Sequence, residues 1–390
     1  MTLPILDAPA VRPFERFHDA RSAVERLVAL YGEAIAHLAA RFRGVVDGVL
    51  PTGRVRAFYP EIRITVETHA RLDSRLAFGY VQRPGVYATT VTRPDLFRHY
   101  LTLQIEQLIA NHGVPVEVGW SERAIPLHFA LQNDGAIDFD VEDRLGRPLR
   151  DVFDVPDLAV TDDAIVNGTW TAKGEEAAPL APFTAPRVDY SLHRLQHYTA
   201  TAAEHFQNYV LFTNYQFYVD EFVAFARRAI ADRAGGYTAF VEPGNVVWRP
   251  GEDRPVSGAA PGRMPQMPAY HLLREGHAGI TMINIGVGPS NAKTITDHVA
   301  VLRPHAWVML GHCAGLRNTQ KLGDYVLAHA YVRDDHVLDA DLPLWVPVPA
   351  LAEIQVALEE AVAEVTGLSG FALKTVMRTG TVATIDNRNW

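Results

Sequence analysis

Between residues 209 and 328 the apolar residues gather into short, largely continuous runs. These are Tyr209-Val-Leu-Phe212, Gly279-Ile-Thr-Met-Ile-Asn-Ile285, Trp307-Val-Met-Leu310 and Tyr325-Val-Leu-Ala328. A strand with no polar alternation has no face to offer water, so it must be covered on both sides. Helical segments at about 218–230 and 291–302 lie between the runs and can supply that cover. The pattern predicts an α/β region built on a mostly parallel sheet flanked by helices.

The first half follows other rules. Val24, Leu27, Val28, Tyr31, Ala34, Ile35, Leu38 and Phe42 recur at helical spacing, which predicts one long amphipathic helix over residues 20–42. Period-two alternation at 61–66 predicts a half-buried strand, with further strands at 76–81 and 86–91 around the Arg83-Pro-Gly85 turn. Thr92-Arg-Pro94 should open a second helix that ends near Asn111-His-Gly113. This is an α+β pattern with an antiparallel sheet. Glycines and prolines crowd residues 165–187, which suit an interdomain connection. The expected organisation is a domain at 1–175 and a second at 188–390, with 244–268 as a surface loop.

Composition removes several classes. Lys and Arg number 36 against 45 Asp and Glu, a net charge of −9, which disfavours an electrostatically driven nucleic-acid binder. The single cysteine, Cys313, excludes an internal disulfide framework and a Cys-rich zinc site. No basic-then-apolar leader and no apolar run of about 18 residues is present, so a cytoplasmic protein without a membrane span is expected.

Two glycine-containing strand ends are the sharpest local features. Gly286-Val-Gly288-Pro-Ser290-Asn291 joins a strand to a helix. Its glycines allow close backbone approach, and the helix start offers free N–H groups to an anion. Ser290 and Asn291 stand where an N-cap is expected, so a ligand loop and a simple capped turn are both open readings. The GxGxxG and Walker patterns both fail here. Gly311-His312-Cys313-Ala-Gly315 ends the next apolar run, and the two turns would border one crevice if their strands are neighbours. His312 could bond a hydroxyl or phosphate, or be structural; Cys313 reads as a small buried cysteine. Arg333-Asp-Asp-His336, with Asp339 and Asp341, lacks metal-site spacing and reads as a solvated loop. His193 and His197 stand four apart with no acid between them and read as structural.

Taken together these runs resemble the nucleoside phosphorylase and nucleosidase superfamily. The closer resemblance is to AMP nucleosidases, through Val188-Asp-Tyr-Ser-Leu-His-Arg-Leu-Gln-His-Tyr198, Val210-Leu-Phe-Thr-Asn-Tyr215, Gly311-His-Cys-Ala-Gly-Leu-Arg317 and Thr379-Gly-Thr-Val382. Tyr87-Ala-Thr-Thr-Val-Thr-Arg-Pro94 looks like the additional N-terminal domain of that family. The resemblance implies hydrolysis of the N-glycosidic bond of AMP to adenine and ribose 5-phosphate. It places Gly286, Gly288, Ser290 and Asn291 at the ribose or anion end, and Gly311, His312 and Gly315 beside sugar and base. Arg388 would contact adenine or phosphate. Met309 stands where many phosphorolytic relatives carry a phosphate-binding Arg, which favours water as nucleophile.

The resemblance also implies no catalytic cofactor, Mg-ATP as allosteric activator, phosphate as inhibitor, and a homo-oligomer, a hexamer by analogy. Arg63, Arg93 and Arg98 are candidate anion contacts in the first domain, with solvated surface arginines the favoured reading. The family's ribose-binding Glu and adenine-protonating Asp match nothing up to Trp390, so a chain lacking a C-terminal part of its catalytic domain is expected, with its catalytic residues unassigned. Tyr218 occupies the approximate place of a Glu that helps activate water in related nucleosidases, with Asp220 or Glu221 as substitutes. A nucleotide-binding regulatory protein without turnover and a phosphorylase are the alternatives.

Overall fold

The computed structural model describes residues 6–10, 12–68, 79–131, 145–161, 163–174, 176–336 and 342–385. The chain divides into two compact units, Met1–Arg194 and Leu195–Trp390.

The first unit carries strands β1 (Leu6–Asp7), β2 (Glu15–Phe17), β3 (Arg54–Val55), β4 (Phe58–Val66), β5 (Gly85–Thr90), β6 (Val116–Ala124) and β7 (Ala178–Pro179). Helices α1 (Ala20–Val46), α2 (Arg98–His112) and α3 (Leu127–Ala130) accompany them. The main sheet runs β2-β6-β4-β5-β7, antiparallel except for β5 and β7. Helix α1 begins where the Asp19 carboxylate accepts the Ser22 N–H at 2.8 Å. Its 3.6-residue stripe, including Leu27, Leu30, Ala34 and Leu38, is buried in one core with Tyr59, Ile62 and Ile64 of β4 and Val116 and Val118 of β6.

Three details depart from expectation. Helix α2 starts at Arg98 rather than at Pro94, because Arg93 takes a left-handed φ of 43° and a turn intervenes before the helix. The strand expected at 76–81 lies partly outside the described residues, and positions 79–81 are not strand. Residues 176–187 of the glycine- and proline-rich stretch belong to the first unit, where β7 extends the sheet edge. Helix α4 (Ala185–Thr199) follows, and the boundary between the units falls within it.

The second unit holds β8 (Tyr209–Thr213), β9 (Tyr237–Glu242), β10 (Val246–Trp248), β11 (Ala269–Arg274), β12 (Ile280–Asn284) and β13 (Ala306–Leu310). Helices α5 (Gln216–Ala231) and α6 (Pro289–Val299) belong to the same layer structure. The sheet order is β10-β9-β11-β12-β8-β13. The α/β class holds, and the parallel part is the β12-β8-β13 core that carries the glycine turns. The rest pairs antiparallel, a correction to the mostly parallel sheet. The reason is loop length: β11 reaches β12 through residues 275–279 alone, too short for a parallel crossover, whereas β12 reaches the β13 edge through α6. The loop expected at 244–268 contains β10, hairpinned onto β9.

A second sheet, β15-β14-β16, is formed by β14 (Tyr325–Asp334), β15 (Val348–Pro349) and β16 (Met377–Ile385), with helices α7 (Ala352–Thr366) and α8 (Gly370–Val376). No helix among the described residues is long and apolar enough to cross a membrane.

Candidate functional site

The C-terminal ends of three parallel neighbours converge in the second unit. The two glycine turns do not sit on adjacent strands. Strand β8 lies between β12 and β13, pairing Asn284 with its Thr213 on one side and Leu310 with Thr213 on the other. The crevice therefore has three lips: Asn284 to Asn291, Thr213 to Tyr218, and Leu310 to Gly315. In open α/β sheets this edge is where ligands bind.

On the first lip Gly286 and Gly288 take φ of 68° and 110°, a region that a side chain would strain. The Gly286 N–H donates to Asn284 Oδ1 at 3.1 Å, and Asn291 Nδ2 donates to the Val287 carbonyl at 3.2 Å, which cross-braces the turn. Ser290 and Asn291 are not the cap: Gly288 is the N-cap of α6 and Pro289 begins the helix, its fixed φ suiting the first position. Ser290 is exposed. No side chain caps α6, which leaves its first N–H groups available to an anion.

On the second lip the sequence singles out Tyr218, with Asp220 or Glu221 as substitutes just beyond it, but no role for Thr213, Asn214 or Gln216. Thr213 Oγ1 accepts the Tyr215 N–H at 3.2 Å and shapes the exit from β8. Gln216 takes the Asn284 amide N–H on its Oε1 at 3.2 Å and donates to Asp220 at 2.9 Å. A polar chain thus runs from Gly286 through Asn284 and Gln216 to Asp220. Asn214 differs: its Oδ1 is shut off from solvent and meets no donor. The apolar run at 209–212 marked β8, but nothing local announced that its exit would stand between the glycine turns.

On the third lip His312 stacks at a tilt on Tyr215, ring centres 4.1 Å apart, and meets the edge of Tyr218 at 5.6 Å. Gly311 and Gly315 are exposed, and a side chain at Gly315 would collide with Gln320. Cys313 is exposed, not buried, because the chain leaves the sheet at Leu310 and runs over the surface. Met309 is half-exposed. Arg388 lies outside the described residues.

The remaining candidates lie elsewhere. Arg63 pairs with Glu61 and stacks on Phe14, and Arg98 pairs with Glu25. Arg93 lies 3.5 Å from Asp95. His193 faces the Phe129 ring, and His197 lies against Tyr198. His336 approaches Asp334 at 3.7 Å, whereas Asp339 and Asp341 lie outside the described residues. Among the described residues no three His, Cys, Asp or Glu side chains gather to hold a metal ion.

Comparison with known proteins places this crevice in context. Residues 22–177 match the family model of the bacterial AMP nucleoside phosphorylase N-terminus. AMP nucleosidase of Escherichia coli K12 is 43% identical over 377 residues, covering 94% of this chain and 77% of that protein. The protein of the same description from Escherichia coli O157:H7 matches equally. Among solved structures, AMP nucleosidase from Bacteroides thetaiotaomicron aligns over 52% of this chain and 68% of its own, with 26% identity and a TM-score of 0.36. On the strength of the Escherichia coli matches, the chain belongs to the AMP nucleosidase family.

Proposed function

We propose that the protein hydrolyses the N-glycosidic bond of AMP to adenine and ribose 5-phosphate. The observation that carries this reading is the 43% identity to an AMP nucleosidase across 94% of the chain. The geometry is compatible with it. The uncapped start of α6 and the positive-φ glycines before it suit the 5′-phosphate, and the Tyr215–His312 pair offers an aromatic face to a purine. In the reaction the oxygen of water bonds to the anomeric carbon as the carbon–nitrogen bond breaks. The bond's electron pair leaves with adenine, which ends with one proton from water, and the other remains on the new sugar hydroxyl. The polar chain ending at Asp220 brings a carboxylate to the crevice rim, where it can orient a water molecule.

The reading extends to Mg-ATP as activator, phosphate as inhibitor, a homo-oligomer (a hexamer by analogy) and a cytoplasmic setting. No catalytic cofactor is included. The 1–175 and 188–390 segments would serve as regulatory and catalytic parts. Phosphorolysis is the second reading, brought in by the match of residues 22–177 to the bacterial AMP nucleoside phosphorylase N-terminus. Chromatography of AMP digests with and without phosphate separates the two. Adenine and ribose 5-phosphate without added phosphate are expected. Ribose 1,5-bisphosphate formed only with phosphate would establish the second reading, and nucleotide binding without turnover would overturn both.

A further inference from the structure

A carboxylate with no part in the crevice chemistry is sealed into the first unit. Asp189 lies on the first half of α4 and is fully buried. Its Oδ2 accepts the Tyr59 hydroxyl of β4 at 2.6 Å, and its Oδ1 accepts the Thr92 hydroxyl at 2.7 Å. Thr92, itself buried, stands 3.3 Å from the hydroxyl of Tyr31 on α1. Three parts of the unit (α1, β4 and the segment after β5) thus converge on one side chain of α4. Among the described residues no Lys or Arg pairs with this carboxylate. Buried carboxylates are ordinarily matched by a cation, and this one is held by hydroxyls instead.

We propose that Asp189, Tyr59, Thr92 and Tyr31 form a proton-operated latch that fastens α4 to the first unit, closed by the neutral acid and loosened by its ionisation. The hydroxyls permit both states. Ionised, Asp189 accepts from Tyr59 and Thr92, and Tyr31 donates to Thr92. Protonated, the acid donates to Thr92 Oγ1, whose own hydrogen turns to Tyr31, while Tyr59 continues to donate to the other oxygen. The proton exchanged is taken from or released to solvent, and no bond between heavy atoms changes.

The charged and titratable surroundings bear on where the latch works. Burial raises Asp189 to about 7, against the opposing pull of the Tyr59 and Thr92 hydrogen bonds and of Arg93. Burial and the nearby Asp189 charge push the Tyr31 and Tyr59 hydroxyls up, so both stay neutral throughout. Asp95 adds to the upward push on Tyr31. The sign follows. The closed state binds the proton and the opened state, with an ordinary carboxyl near 3.8, does not. Opening therefore grows with rising pH from about 4 to about 7, by up to about tenfold per pH unit, and levels off above. The boundary between the two compact units falls within the same helix, after Arg194, so the latch acts on a segment shared between them by sequence.

Infrared difference spectroscopy and hydrogen exchange of the α4 amides on the whole chain, from pH 5 to 8.5, test this. A buried carboxyl band that disappears with a midpoint near 7, and exchange corrected for its intrinsic pH dependence that rises to a plateau there, are expected. Asp189→Asn, which mimics the neutral acid, should abolish both the band and the pH dependence and leave exchange slow at pH 8.5. Tyr59→Phe, which removes one donor to the ionised form, should move the midpoint upward and serves if the first variant does not fold. An Asp189 already ionised at pH 5, or an exchange profile unchanged by Asp189→Asn, would overturn the latch.

Discussion

The two units differ in where their most telling buried polar groups lie, although each leaves some buried atoms without a partner, Trp120 Nε1 in the first and Asn214 Oδ1 in the second. In the first, both oxygens of Asp189 are engaged, Asp154 is bound by Arg54 and Arg56, and α1 lays its apolar stripe into a single core. In the second, the crevice keeps an acceptor on Asn214 with no donor and a His–Tyr pair open at the surface. A group left unsatisfied away from water costs stability, about 1–3 kcal/mol, and persists where something else depends on it. The contrast is one of place: the engaged Asp189 lies in the core of the first unit, whereas the unmatched Asn214 acceptor lies at the carboxyl end of the parallel strands of the second, the edge where ligands bind in such sheets.

The sharpest way to break that contrast is in the core. Leu27→Ala, at a fully buried position of α1, should destabilise the first unit by about 3 kcal/mol in thermal or denaturant unfolding. A loss under about 1 kcal/mol would show that the α1 stripe contributes little to that core. Next comes the aromatic lip. Tyr215→Ala should lower kcat/KM for AMP by about 30-fold, or about 2 kcal/mol, while the melting temperature moves little. An equal fall in stability would make the ring a packing residue. The smallest effect has the opposite sign. Asn214→Leu removes the orphan acceptor while keeping the number and branching of side-chain heavy atoms, and should stabilise the second unit by about 1 kcal/mol while lowering activity. If calorimetry shows destabilisation instead, the amide has a structural partner and the contrast between the units fails.

Much of this architecture could be read in advance where one physical signal dominated. Helix α1 is announced by a long 3.6-residue period, and β12 and β13 by short, largely apolar runs. Strand β6 was overlooked although it lies inside the first sheet. Its alternation is interrupted at Gly119, where even a Cβ would overlap the ring of Phe14, so the position answers to a neighbour far away in sequence. Strands β9 and β11 escaped for a related reason: their antiparallel partners are set by short connections rather than by composition. In the crevice, Gly286 and Gly288 were visible because positive φ demands glycine. Asn214, Tyr215 and Gln216 were not, because ordinary polar and aromatic residues become a site only once strand order brings them between two turns.

That strand order has an evolutionary consequence. Strand β8 is hydrogen-bonded along its length on both sides, so its exit cannot shift without dragging both glycine turns. Backbone drift is closed to this crevice as a route to new substrates. Descendants of this chain would diversify by exchanging side chains on a fixed frame, with positions 214, 215, 216 and 312 as the places where innovation is cheapest.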